Sequence, residues 1–480
     1  MLAVLVFASA GCFRMRPTRG GGDVDVDDVS GPRRIRISDV AVQYGYSLHV
    51  AGTGLTFPTG ITFDDAGTPY VIESGYSYGE KVTEARLLEL DPAGKHRVVA
   101  RSKNGPWTGV YFHQGSFYIA EGGAVTGAGK ILKVGRDGAI TTLVDNLPSM
   151  GDHHTNGPVV APDGTLYFGQ GTVTNSGVVG EDSADFGWLS RHPEAHDIPC
   201  KDIKINATAF ESKDVLKNGS DKVKTSAYSA FGTTVAEGAV IPGAVPCSGA
   251  VLKVPVGGGP VELVAWGYRN PFGLAFDPAG QLYVTDNSYD ERGSRPVWGS
   301  PDMLFKVVPG SWAGWPDYSG GLPVAQKRYK RPGYPEPTTI LTEPPMKPIE
   351  PSARFGSHSS SDAFDFSRNE AFGFVGEAFV PQFGDMAPTA GKVTSPVGFR
   401  LVRVDPKDGV VTDFATNKGP KNGPASKLEL GGLERPVAAR FDPSGTALYV
   451  VDFGVMAVGD KGPEAIEGTG MVWKITRGEP

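Results

Sequence analysis

Arg269-Asn270-Pro271-Phe272-Gly273-Leu274-Ala275-Phe276-Asp277-Pro278-Ala279-Gly280-Gln281-Leu282-Tyr283-Val284-Thr285-Asp286 is the stretch that decides the fold. It reads as an apolar strand, a turn built on Asp, Pro and Gly, and a second apolar strand, which encodes a β-hairpin. The chain repeats it. One copy runs from Pro58 to Glu73. Another runs from Gly157 through Ala161-Pro162-Asp163-Gly164 to Tyr167, and a third from Arg435-Pro436 through Phe441-Asp442-Pro443-Ser444-Gly445 to Tyr449-Val450. Weaker copies end near Tyr118 and Phe374. The anchors Tyr70, Tyr118 and Tyr167 are 48 and 49 residues apart, within the span of one propeller blade.

Each hairpin is followed by another alternating strand, such as Lys130-Ile131-Leu132-Lys133-Val134 or Met471-Val472-Trp473-Lys474-Ile475. Alternation of this kind marks strands with one exposed face. The expected fold is all-β, a six-bladed β-propeller. The last blade lacks a fourth strand, whereas residues 33–50 supply a spare one. The N-terminal strand is therefore expected to complete the last blade and remove two free sheet edges. Two stretches interrupt the repeat, 176–248 and 315–357. Such loops sit on one propeller face and wall a central depression.

The rest of the chain bounds the function class. A net charge of −7 over 480 residues argues against nucleic acid as a partner. The propeller is expected over 33–480, after a flexible Arg/Gly/Asp-rich tether at 13–32. Residues 1–12 hold an apolar run closing in Ala10-Gly11-Cys12. That run resembles a bacterial lipoprotein signal, with Cys12 the lipidated residue. An exported protein, periplasmic or at the cell surface and touching the membrane only through a lipid anchor, is the expectation. Cys200 and Cys247 bracket the first insertion, which suits a disulfide in an oxidising compartment; two free thiols are the alternative.

No nucleophile elbow, phosphate-binding loop, dinucleotide fingerprint or haem-attachment motif is present. The chemistry-bearing residues sit where blades converge: Asp152-His153-His154-Thr155-Asn156, Arg269-Asn270, Asp286-Asn287, His358 and Glu434-Arg435. A histidine beside an acid at a strand mouth suits a general base held by a carboxylate. An arginine in an apolar strand start requires an anionic partner, either a ligand carboxylate or a structural Asp. Asp286-Asn287-Ser288-Tyr289-Asp290-Glu291 is an oxygen-rich loop that could hold Ca²⁺ or form a plain surface turn. His192 and His196 have helical metal-ligand spacing, weakened by Pro193 between them.

These residues carry a resemblance. Asp152-His153 followed by Pro162-Asp163-Gly164, and Gly267-Tyr268-Arg269-Asn270-Pro271-Phe272-Gly273 continuing to Asp302-Met303-Leu304-Phe305 and Gly314-Trp315-Pro316, resemble the soluble glucose/sorbosone dehydrogenase family. Its members are quinoproteins that use pyrroloquinoline quinone (PQQ) and Ca²⁺ on a six-bladed propeller. The resemblance implies an oxidoreductase that oxidises a sugar or related alcohol and passes electrons to an acceptor. It implies His153 as the base, with Asp152 and Arg269 completing the catalytic set. Arg269, Asn270, Arg435 and Lys392 would contact the quinone. Carbonyls of Ser288 and Tyr289 would hold the PQQ-bound Ca²⁺. Gly157 and Val437 stand where the family's glucose-oxidising members carry arginine, so the resemblance leaves the substrate open. The competing readings are a metal-dependent, lactonase-like propeller hydrolase and a non-catalytic cell-surface binding propeller.

Overall fold

The computed structural model describes residues 32–478 apart from 77–80, 92–93, 124–126, 186, 218–220, 388–389, 392, 394 and 460–461. Cys12 and Lys392 therefore lie outside the described residues. Six antiparallel sheets account for the repeat. From the axis outwards, the first blade is Pro58–Phe63, Pro69–Glu73, Ala85–Leu90 and His96–Ser102. The second is Trp107–His113, Ser116–Glu121, Gly129–Gly135 and Ile140–Leu147. The third starts at Thr155–Val160 and Thr165–Gln170, and the fourth at Asn270–Phe276 and Leu282–Asn287. The fifth starts at Asp365–Phe366 and Ala378–Gln382, and the sixth at Pro436–Phe441 and Ala447–Asp452.

Ring closure follows the expected plan with a shifted boundary. Tyr46–Leu55 pairs with Gly470–Arg477 as the outer strand of the sixth blade. The short strand Val40–Val42 instead adds a fifth strand to the fifth blade, against Val410–Asn417. The fifth hairpin also differs from its expected anchor. Phe379, one residue into the second strand, is the counterpart of Tyr70, whereas Phe374 lies in the turn at a φ of 53°. A longer turn in this blade misplaced the register by five residues.

Neighbouring blades pack through apolar faces that the strand alternation supplies. Tyr70, Ile72 and Leu87 meet Phe112, Phe117 and Ile119 between the first and second blades. Leu55, Ile61 and Val71 meet Val437, Val451 and Val472 where the ring closes.

Five of the six innermost strands share one irregularity. The register of the first two strands slips between Pro58 and Gly60, Trp107 and Gly109, Asn156 and Val159, Pro271 and Leu274, and Pro436 and Ala438. A bulge at a strand entrance re-aims the side chains beyond it. Proline is tolerated there because the innermost strand is a sheet edge. The bulge also brings backbones close together. A methyl group on Gly109 would lie 1.6 Å from the Gly157 carbonyl oxygen, so only glycine fits.

Both insertions lie against the third and fourth blades. The first contains the short helices Glu181–Asp185 and Trp188–Arg191, one small hairpin and a short strand pair that encloses it in sequence. Cys200 and Cys247 form a disulfide. The insertions contact each other, with Ile205 bridging to Leu341 and Asn206 N–H donating to the Ile340 carbonyl at 2.9 Å. Among the described residues, no helix is long and apolar enough to cross a membrane.

Candidate active site

The bulged strand entrances surround an axial cavity of about 210 Å³. It brings together Asp152, His153, His154 and Asn156 from the third blade, Arg269, Asn270, Asn287 and Ser288 from the fourth, and His358 ahead of the fifth. These positions are separated by up to about two hundred residues in sequence. Its walls include Pro106, Phe272, Phe383, Met386, Phe453 and Met456. The mix of apolar wall and few convergent polar groups is that of a small-molecule site.

His153 is buried, with Nδ1 3.1 Å from both the carbonyl and the hydroxyl oxygen of Thr172. Its Nε2 lies 3.6 Å from Asp152 Oδ2. The neighbouring carboxylate thus faces the ring without holding it; Thr172 holds the other nitrogen. Burial pulls the imidazole down to about 3, and Arg269 and Arg292 add to the drop against the opposing effect of Asp152. His153 is therefore neutral and able to accept a proton. His154 is also buried, which pulls it down to about 4.

A charge network surrounds this base. Arg269 donates to Asp290 Oδ2 at 2.8 Å, to Asn175 Oδ1 at 3.0 Å and to the Asn287 carbonyl at 3.3 Å. Arg292 donates to Asp152, to Asp182 at 2.9 Å and to Asp290 at 3.0 Å. Burial opposes charge on Asp152, but Arg292, His153 and Arg269 outweigh it and hold the carboxyl low. The same balance, with Arg269 and Arg292 dominant, keeps Asp290 well below the usual carboxylate range. His358 lies 3.0 Å from Glu291 and 3.5 Å from Asp290. Burial disfavours its charged form, but the two carboxylates push the imidazole up to about 10. It lines the cavity as a cation.

Backbone and amide contacts hold the entrance strands in place. Asp286 accepts the N–H groups of Arg269 at 3.0 Å and Asn270 at 2.8 Å. Asp452 does the same for Glu434 and Arg435, both at 2.9 Å. Burial pushes Asp286 up to about 7, whereas the Arg33 guanidinium overcomes burial and holds Asp452 low. An amide chain runs around the axis. Asn156 donates to Asn270 at 2.8 Å, Asn270 to Asn287 at 3.0 Å, and Asn287 to the Ser361 carbonyl at 3.0 Å.

Other candidates lie elsewhere. Arg435 is fully buried behind the wall formed by Phe383 and Gly384, with Nη1 near the carbonyls of Phe383, Gly384 and Asp385. Its Nε and Nη2 have no hydrogen-bond partner among the described residues. Ser288 lines the cavity; Tyr289 is buried behind it and donates its hydroxyl to the Tyr318 carbonyl at 3.0 Å. His192 follows the helix that ends at Arg191, and His196 Nδ1 turns to the Asp197 carbonyl, so the two histidines do not share a helix face. No group of three metal-ligating His, Cys, Asp or Glu residues occurs among the described residues.

Among the cavity residues that escaped the sequence reading are Arg292, Asp302, Ser360 and Asp362. Burial pushes Asp302 up, and burial together with the neighbouring Asp302 pushes Asp362 well up. Arg292 sits in a loop without periodicity, so nothing in the pattern marked it. Asp302 belonged to a quoted motif without being assigned a place in the cavity.

No family model matches the sequence, and no curated protein matches it. Solved structures do. The holo form of the pyranose dehydrogenase PQQ domain from Coprinopsis cinerea superposes with a TM-score of 0.55 at 15% identity, over 93% of this chain and 98% of that one. The PQQ-bound aldose sugar dehydrogenase from Streptomyces coelicolor gives 0.51 at 15% identity, over 91% and 99%. The apo soluble aldose sugar dehydrogenase from Escherichia coli gives 0.51 at 13% identity, over 90% and 99%. At these identities the likeness establishes a shared fold, and the chain is a six-bladed propeller of the form found in PQQ-dependent sugar dehydrogenases, the group its motifs resemble.

Proposed function

We propose that this chain is a PQQ- and Ca²⁺-dependent oxidoreductase that oxidises a sugar or related alcohol. The observation that carries the reading is a buried, neutral His153 beside Arg269 in one axial cavity. The residues present fit the cofactor. Arg269 is a cation on the cavity itself, suited to a ligand carboxylate, whereas Arg435 stacks on Phe383 and Phe399 behind the wall. Phe272, Phe383, Phe453 and Met456 offer apolar surface to a flat ring system. Ser288, Asp302 and Asp362 supply oxygen donors of the kind Ca²⁺ takes.

Arg269 and Asn270 would hold PQQ, with Arg435 behind the Phe383 wall and Lys392 outside the described residues as further candidates. Ser288 and Tyr289 would hold Ca²⁺. Bound there, the quinone would supply the two-electron acceptor and the cation its polarisation. The chain's own part is proton handling and orientation. His153 Nε2 takes the proton from the substrate hydroxyl. Asp152, 3.6 Å away, offsets the imidazolium charge that forms. Arg292 and Arg269 fix Asp152 in turn. Asn156, Asn270 and Asn287 present amide groups to substrate or cofactor oxygens. The apolar wall limits water at the reacting centre.

The test is reconstitution of purified apo-protein with PQQ and Ca²⁺, followed by dye reduction across a panel of sugars and alcohols. Activity that requires both additions and is lost in His153→Ala supports the reading. Absence of quinone binding, or lactone hydrolysis independent of quinone, overturns it. We also propose export with Cys12 as a lipid anchor, on the strength of the apolar run before it. Mass spectrometry of the mature N-terminus in its native host, showing an unmodified Cys12, would refute this.

A further inference from the structure

We propose that Thr172 and Asp197 are positioning residues that set the tautomer of His153 and aim its Nε2 lone pair into the cavity. The inference rests on the reading of His153 as the base. A neutral imidazole protonates one nitrogen, and the hydrogen bond at the other end of the ring selects which. His153 Nδ1 meets two oxygens of Thr172, the carbonyl and Oγ1, each at 3.1 Å. A carbonyl only accepts. The hydroxyl has spent its proton on the Thr174 carbonyl, to which it donates at 2.6 Å. Both partners therefore accept, so Nδ1 carries the hydrogen and Nε2 keeps its lone pair.

Thr172 is itself held from a distance in sequence. Asp197 is fully buried in the first insertion. One of its carboxylate oxygens accepts the Val173 N–H at 2.7 Å, and the other accepts the Thr174 hydroxyl. Thr174 Oγ1 in turn accepts the Gly177 N–H at 2.8 Å. The carboxylate thus fixes both residues that follow Thr172. The insertion anchors Asp197 through its neighbour. Ile198 N–H donates to Ser248 Oγ at 3.1 Å, and Ser248 N–H returns a bond to the Ile198 carbonyl at 2.9 Å. The Cys200–Cys247 disulfide lies immediately beyond this pair. An insertion that looks like a surface elaboration thus reaches the reactive imidazole through Asp197, Thr174 and Thr172.

Nitrogen-15 NMR of histidine-labelled apo-protein reads the tautomer directly, without cofactor or turnover. The wild type is expected to show a single His153 tautomer with Nδ1 protonated. Thr172→Val removes the hydroxyl acceptor and leaves the carbonyl, so the Nδ1-protonated form should fall from the sole tautomer to the major one of a mixture. In the reconstituted enzyme the same change should lower kcat by about 10-fold, the low end for loss of a bond that orients an imidazole, with KM little changed. Thr172→Ser should restore both readouts. Asp197→Asn should mix the tautomers in the same way while the disulfide stays intact, and it carries the test if Thr172→Val does not fold. Wild-type tautomer signals in both Thr172→Val and Asp197→Asn refute the positioning role even if dye reduction depends on His153. Tautomer mixing in these variants, with no dye reduction by the wild type, upholds the positioning and removes the dehydrogenase reading.

Discussion

His358→Gln removes a buried cation whose charge the fold maintains. The imidazole lies between Glu291 and Asp290, at 3.0 and 3.5 Å, and these carboxylates overcome burial to push it up to about 10. An unfolded histidine titrates near 6.5. Between these values the folded chain holds a proton that the unfolded chain has lost. The resulting stabilisation is complete below about pH 6.5 and disappears as pH rises towards 10, at about 1.4 kcal/mol per pH unit. The span sets a ceiling of roughly 5 kcal/mol. For a chain of this size the unfolding entropy is on the order of 1 kcal/mol per degree, so the ceiling corresponds to about 5 °C in Tm. Glutamine keeps an amide that can donate to Glu291, so the variant loses the charge with little loss of volume. Calorimetry of apo wild type and variant at pH 6, 8 and 10 should give a Tm difference that is largest at pH 6 and close to zero at pH 10. Lysines and tyrosines that titrate at high pH do so in both proteins and cancel. A difference that stays constant across this range would show that His358 is not held as a cation, and the electrostatic account of the cavity would fail with it.

His153→Gln should lower the rate of the reconstituted enzyme by about 10²–10⁴, the range for losing a general base. Because burial keeps His153 unprotonated down to about pH 3, the wild-type kcat/KM profile should show no histidine limb between pH 5 and 8. A limb near pH 6.5 that vanishes in the variant would contradict this. Replacing both Cys200 and Cys247 by serine frees a loop with a sequence separation of 47, which loop-closure entropy values at up to about 4 kcal/mol; thermal unfolding without reductant measures it. Gly109→Ala places a methyl 1.6 Å from the Gly157 carbonyl oxygen. It should cost at least about 3 kcal/mol, and a soluble variant with wild-type Tm would show that the inner strands can move apart.

The propeller was legible because each hairpin carries its own local instruction, an Asp/Pro/Gly turn between two alternating strands. The fifth blade was read less well. Its turn is longer and places Phe374 in a left-handed bend, and a phenylalanine in a turn looks like one in a strand when only spacing is available. The converging residues His153, Arg269, Asn270 and His358 were also legible, since equivalent strand entrances must meet on the axis. Arg435 starts its strand in the same way, yet its side chain turns behind Phe383, because direction depends on the local bulge and on the ring it packs against. Arg292 and Thr172 follow no period. Their roles depend on loop conformations fixed by contacts with the insertion, which a one-dimensional pattern does not record. A further regularity emerged only in three dimensions. Glu73, Glu121, Gln170, Gln382 and Asp452 end the second strands of their blades, Asp286 stands one residue before the end of its own, and four of the six are acids. At Asp286 and Asp452 the carboxylate caps two N–H groups of the adjoining entrance.

The pairing of Tyr46–Leu55 with Gly470–Arg477 has a consequence for the order in which the molecule can be made. The sixth sheet draws its outer strand from the start of the chain and its other three from the end. During synthesis the early strand must wait, unpaired, until almost every other residue has been added. Contacts of such sequence separation are the slowest to form. Five blades can assemble as an open arc before then, but the last seam cannot. A ribosome stalled before residue 470 would release an arc with two sticky rims, able to join its neighbours end to end. The same late seam gives the finished ring its cooperativity, because no blade can leave without opening it.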